Sequence, residues 1–208
     1  MTSPDYRVLV VLLLSLTWPR VSWGYEIART STGALLSWPE SCVYWTVIEQ
    51  DIDNMDFDGA VEPTVDFEQF RSAVRASFLT WEDVDCSFLR FVETEPGHCI
   101  DVGFHLETSN ANRIFVRETG WIDAEEPWRS SLDLAITSLF YSAQTGEIYD
   151  FDLEINGEFF ELTTSEARPN SDLQNALTHE VGHVVGLEHS FAPDSTMFET
   201  AEPGELLK

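Results

Sequence analysis

The chain has 208 residues and carries 11 Lys and Arg against 37 Asp and Glu, a formal charge of −26 at pH 7. Phosphates would repel such a molecule, and with Lys208 as its sole lysine it has no basic stripe to offset that, so nucleic acid is excluded as a partner. With 43 % apolar and 23 % charged residues the composition excludes a disordered chain, and the length suits one domain with a substantial core.

Residues 1–24 differ from the rest: Arg7 precedes the apolar run Val8 to Leu16, then a short polar stretch around Pro19 to Ser22. The run is far short of the roughly 20 residues that span a bilayer. Ser22 and Gly24 suit the minus-three and minus-one positions of a cleavage site before Tyr25, so a secretory signal, a secreted (extracellular or periplasmic) product and no stable membrane anchor are expected. Export places Cys42, Cys86 and Cys99 in an oxidising compartment, where one disulfide and one leftover thiol is the simplest count.

Tyr25 to Glu40, with Ser31-Thr32-Gly33 and Pro39, reads as a surface lead-in. Val43 to Glu49 is rich in β-branched and aromatic residues and predicts a strand. The acidic stretch Asp51 to Glu62 is a loop, after which Asp66, with Gln69 three residues on, predicts a capped helix start. Phe67, Phe70, Val74, Phe78 and Trp81 recur at spacings of three and four, one apolar stripe on that helix.

Phe88 to Glu93 and Val102 to Leu106 predict strands on either side of a turn at Pro96-Gly97. Strand, helix, strand in this order implies a right-handed crossover and a partly parallel sheet. It also returns the helix end to the edge where the first strand began, making Cys42 and Cys86 candidate disulfide partners, with Cys86 to Cys99 the alternative. Ile114 to Val116 and Leu132 to Phe140 are further strand-length stretches flanking a polar loop, Glu118 to Ser131. Beyond the break at Thr145-Gly146, Ile148 to Asn156 alternates apolar with acidic residues, the pattern of a half-exposed antiparallel or edge strand.

Ser171 and Gln174 form a candidate capping box for a helix spanning Asp172 to Leu187, which carries HEVGHVVGLEH at positions 179–189. On a helix, His179 and His183 lie one above the other and their imidazoles can converge on one cation. Glu180, about 100° round the helix, reaches a water at that metal without becoming a ligand, which suits it as general base. Catalytic zinc keeps three protein ligands. Gly186 tolerates the positive φ of a sharp helix exit, after which the chain can bring His189 to the same metal. With five positions fixed at about 5 % usage each, a chance match arises in roughly one window in several million.

HExxHxxGxxH followed by Met197 in Ser195-Thr196-Met197-Phe198 resembles the metzincin clan of metallopeptidases, and Ser190 directly after the third histidine is similar to the matrixin-like group. The likeness runs over roughly Val43 to Phe198. It implies an α+β fold: a twisted, mostly parallel sheet of about five strands with an antiparallel edge strand, a long crossover helix and an active-site helix. An upper subdomain would span 42–187 after a lead-in at 25–41, and a lower one, 188–208, would hold Met197 in a turn beneath the metal. The family continues past that turn into a C-terminal helix, so a chain stopping at Lys208 is expected to have a small, truncated lower subdomain.

The resemblance implies one catalytic Zn²⁺, peptide-bond hydrolysis as an endopeptidase on protein or peptide substrates, and a monomer. A catalytically inactive zinc-binding or adhesion module on the same fold is the alternative. Secreted peptidases of this kind often bind calcium, and Asp150, Asp152 and Glu154, which share one strand face, are candidate ligands; a charged, solvated edge is the other reading of them.

Overall fold

The computed structural model describes residues 25–48, 65–95, 104, 110–123, 126–127, 129–164 and 172–199. The signal segment, the acidic loop at 51–62, Cys99, His98, His105 and most of the Val102 to Leu106 stretch lie outside the described residues.

Among the described residues nine elements follow in chain order: β1 (Glu26–Ile27), β2 (Cys42–Val47), α1 (Phe67–Glu82), β3 (Arg90–Glu93), β4 (Asn112–Arg117), β5 (Ala135–Tyr141), β6 (Ile148–Asn156), α2 (Leu173–Val184) and β7 (Leu187–Glu188). The main sheet has five strands in the order β3-β2-β4-β6-β5. Pairings β2 with β3, β2 with β4 and β4 with β6 are parallel; β5 runs antiparallel to β6 at one edge. This is the mostly parallel α+β architecture with an antiparallel edge strand that the sequence predicts.

Helix α1 starts as its sequence dictates: Asp66 Oδ1 accepts from Gln69 N at 2.8 Å while Gln69 Oε1 accepts from Asp66 N at 2.9 Å. Its stripe packs as expected, with Phe70, Val74 and Phe78 buried and Phe67 and Trp81 partly buried against the same core. Phe78 stacks on Trp45 of β2 at 4.9 Å and lies 6.4 Å from Phe151 of β6, which fastens the helix to the sheet. Helix α2 lies alongside α1: Trp81 Nε1 donates to Thr178 O at 2.9 Å, and Thr178 Oγ1 to Ser77 Oγ at 3.1 Å. The N-cap of α2 is Asp172, whose Oδ1 accepts from Asn175 N at 2.6 Å. The helix is therefore capped by Asp172 alone, one residue beyond the start expected from the Ser171 and Gln174 box.

Three expectations are corrected. Tyr25 to Glu40 is not merely surface coil, because β1 pairs antiparallel with β7 just before His189, and Ala28 and Leu36 are buried. The Ile148 to Asn156 strand is neither an edge nor half-exposed: β6 lies between β4 and β5, and only Tyr149 along it is exposed. The edge strand is β5. Cys42 and Cys86 are both free and exposed, so the expected bridge between them is not formed.

Two of the candidate calcium carboxylates are buried in ion pairs with arginines from β4 and from the segment after it. Arg113 lies 3.2 Å from Asp152; Glu154 pairs with Arg117 and, at 2.6 Å, with Arg129. Arg129 also covers the ring of fully buried Trp121 at 5.0 Å, so these two side chains close over this sheet face. With Asp152 and Glu154 committed to guanidinium groups, β6 offers no open set of three carboxylates for a cation, and the solvated-edge reading fails equally.

Asp150 is the member of that face left over: it is buried and, among the described residues, its Oδ2 has no hydrogen-bond partner. Burial, then repulsion from Asp152, outweighs the pull of Arg113 and pushes its carboxyl up to about 7. Above the pKa of the unfolded chain, near 3.9, the unfolded state loses its proton while the folded state keeps it, so Asp150 costs stability progressively as pH rises to about 7. Asp150→Asn is expected to raise the denaturation midpoint at pH 8 and to leave it unchanged near pH 4. An equal effect at both pH values would contradict the assignment.

Candidate metal centre

Helix α2 carries His179 and His183 on one side, and the chain leaves it through Gly186, whose φ of 91° is the left-handed conformation the exit requires. A Cβ there would also stand 2.9 Å from Leu36 O, so the lead-in segment closes on this corner. It is fastened by Ala28 N donating to Gly186 O at 2.8 Å and by Trp38 Nε1 donating to Val184 O at 2.8 Å. Strand β7 then delivers His189 to the other two histidines.

The three rings converge. Their centroids are 5.0 Å (His179 to His183), 5.2 Å (His179 to His189) and 4.9 Å (His183 to His189) apart, and one ligand atom from each lies within 4.8 Å of the others. His179 Nδ1 is 2.8 Å from Thr196 O and His183 Nδ1 is 2.8 Å from Leu187 O. A carbonyl only accepts, so each Nδ1 carries a proton, and Nε2 is the ring atom left to face a metal. Burial, then the neighbouring His183 and His179, holds His189 below the usual histidine range, which favours the neutral, ligating ring. Three imidazoles converging on one point, with no cysteine or fourth histidine grouped with them among the described residues, are the donor set of an open zinc site.

Met197 is buried beneath this cluster. Its carbonyl accepts from Ser190 N at 2.6 Å, which ties the methionine turn to the residue following His189, while the adjacent Thr196 supplies the carbonyl that orients His179. The thioether rests on Gly182 of α2: a Cβ at that glycine would stand 2.1 Å from Met197 Sδ and 2.9 Å from the Trp81 ring. Gly182→Ala is therefore expected to destabilise the fold by about 1–3 kcal/mol through overpacking and to weaken zinc binding by displacing the turn. Urea unfolding together with zinc competition measures both, and an unchanged midpoint would show that this contact yields freely.

Glu180 is buried, and Thr137 Oγ1 of β5 lies 2.7 Å from its Oε2. Burial raises its carboxyl above the ordinary range, against the opposing pull of His183 and the Thr137 hydrogen bond. The structure thus brings together every residue of the predicted cluster: His179, His183, His189, Glu180 and Met197. Thr137, Gly182 and Trp38 join them without any motif to announce it.

A metal-holding helix of this kind, backed by a mostly parallel sheet with one antiparallel edge strand and floored by a methionine turn, is the zinc site of a metzincin-type metallopeptidase. The family model described as matrixin (peptidase M10) matches residues 54–206, well over half of the chain, which therefore belongs to the matrixin family. A search of curated protein sequences returns no match.

Proposed function

We propose that this matrixin is an exported zinc-dependent endopeptidase in which Glu180 is the general base. The observation that carries this reading is the buried Glu180 carboxylate standing next in sequence to His179, in a site where three histidines bring one ligand atom each to within 4.8 Å of one another.

Zinc held by His179, His183 and His189 would supply a Lewis acid that polarises the scissile carbonyl and acidifies water. Glu180 takes the proton as water attacks the carbonyl carbon and then passes it to the leaving amine. Thr196 and Leu187, through their carbonyls, keep the two helix histidines in one tautomer and orientation.

Among the described residues strand β5 pairs with β6 on one side only, so its outer main-chain groups would take an extended peptide by β-augmentation. Such a mode suits loops or unfolded segments of a protein, cut internally. Export follows from the Val8 to Leu16 run and the small residues before Tyr25. Among the described residues no helix is long and apolar enough to cross a membrane.

Digestion of a denatured protein by residues 25–208, with the cut sites mapped by mass spectrometry, tests the reading. Internal cuts at a recurrent residue pattern are expected. Zinc uptake with no cleavage of any substrate would instead identify a binding module on this fold.

A further inference from the structure

Glu180 must offer one carboxylate oxygen to a reacting water while its side chain has several rotamers open to it on the helix. Thr137 sits on β5 in register with Leu153 of β6, a core residue, so its side chain stands on the helix-facing side of the sheet. As a β-branched residue in a strand it has a restricted χ1 and holds its hydroxyl in place. Oγ1 lies 2.7 Å from Glu180 Oε2 and 3.2 Å from the Glu180 carbonyl oxygen. An ionised carboxylate and a carbonyl both only accept, so the threonine hydroxyl is the donor.

We propose that Thr137 is a positioning residue for the general base: its hydroxyl fixes Glu180 Oε2 and leaves Oε1 as the oxygen that takes the proton. An apolar side chain would fill this core-facing position equally well, yet could not orient the carboxylate. The placement has a second consequence. Thr137 belongs to the strand whose free edge would hold the substrate, so one rigid element sets both the peptide's register and the direction of the base.

The inference rests on Glu180 acting as the base, and the test separates the two. Thr137→Val removes the hydroxyl at nearly constant shape, Thr137→Ala removes it with less bulk, and Thr137→Ser keeps it. In the zinc-loaded chain, valine and alanine are expected to lower kcat about tenfold, the scale of one hydrogen bond to a charged group, with KM and zinc content unchanged. Serine is expected to restore most of the loss. Wild-type kcat in the valine and alanine variants, or serine as impaired as valine, would overturn the proposal. If the wild-type chain cleaves nothing, the endopeptidase reading fails, and crystal structures of wild type and Thr137→Val still decide the inference. A Glu180 carboxylate that turns or splits between rotamers in the valine variant supports it, whereas an unmoved one refutes it.

Discussion

Glu180→Gln should reduce peptide hydrolysis by roughly 10²–10⁴-fold, the usual contribution of a positioned base, while the purified protein still carries about one zinc per chain. Glutamine has the shape of glutamate and its amide oxygen can still accept from Thr137, so the helix, the sheet contact and the three imidazoles stay as they are. It has no carboxylate to take a proton from water. Stability provides a second reading of the same variant. Burial raises the Glu180 carboxyl in the folded chain, so at neutral pH its ionisation is a cost to folding that the neutral amide does not incur. The variant is therefore expected to melt no lower than wild type in the zinc-free form. Lost activity with lost zinc, or with a collapsed fold, would show that Glu180 serves structure rather than proton transfer.

His183→Ala should fail in the opposite manner, by losing the metal. His183 lies beside both other rings, its Nε2 3.3 Å from His189 Nε2 and its Nδ1 tied to Leu187 O. Without it two imidazoles remain, too few for a catalytic zinc. The expected loss of zinc affinity exceeds the roughly 10–100-fold that removal of an outer hydrogen-bond partner costs. Zinc content after dialysis should fall well below stoichiometric and cleavage should disappear with it. Added zinc should restore neither at concentrations that saturate the wild type. Compared with Glu180→Gln, which keeps metal and loses turnover, this variant separates binding from chemistry.

Much of this site was readable from spacing alone, because helical geometry converts an interval of four residues into a shared face. His179, His183 and the Gly186 exit follow from that, as does the Asp66 and Gln69 cap. The parts that were misread depend on partners far away in sequence. The acidic residues of β6 look solvent-facing in isolation; they are buried because Arg113 and Arg117 lie on the adjacent strand and Arg129 folds over them from a loop. Nothing local in Tyr25 to Glu40 indicates that Ala28 will hydrogen-bond to Gly186, since that contact exists only once α2 has ended beside it. Thr137 is an ordinary strand threonine until the sheet order sets β5 against the active-site helix. Gly182 reads as an unremarkable x of HExxH, and its role comes from the methionine side chain that needs its missing Cβ.

The central claim is that the three-histidine zinc site performs internal peptide cleavage. Its most direct test is the rate of casein hydrolysis by residues 25–208 as zinc is first stripped by a chelator and then titrated back against a measured protein concentration. No cleavage is expected in the stripped chain, and the rate is expected to rise linearly to a plateau at about one zinc per chain. Cleavage that persists without metal, or a chain that fills with one zinc and still hydrolyses nothing, would contradict it.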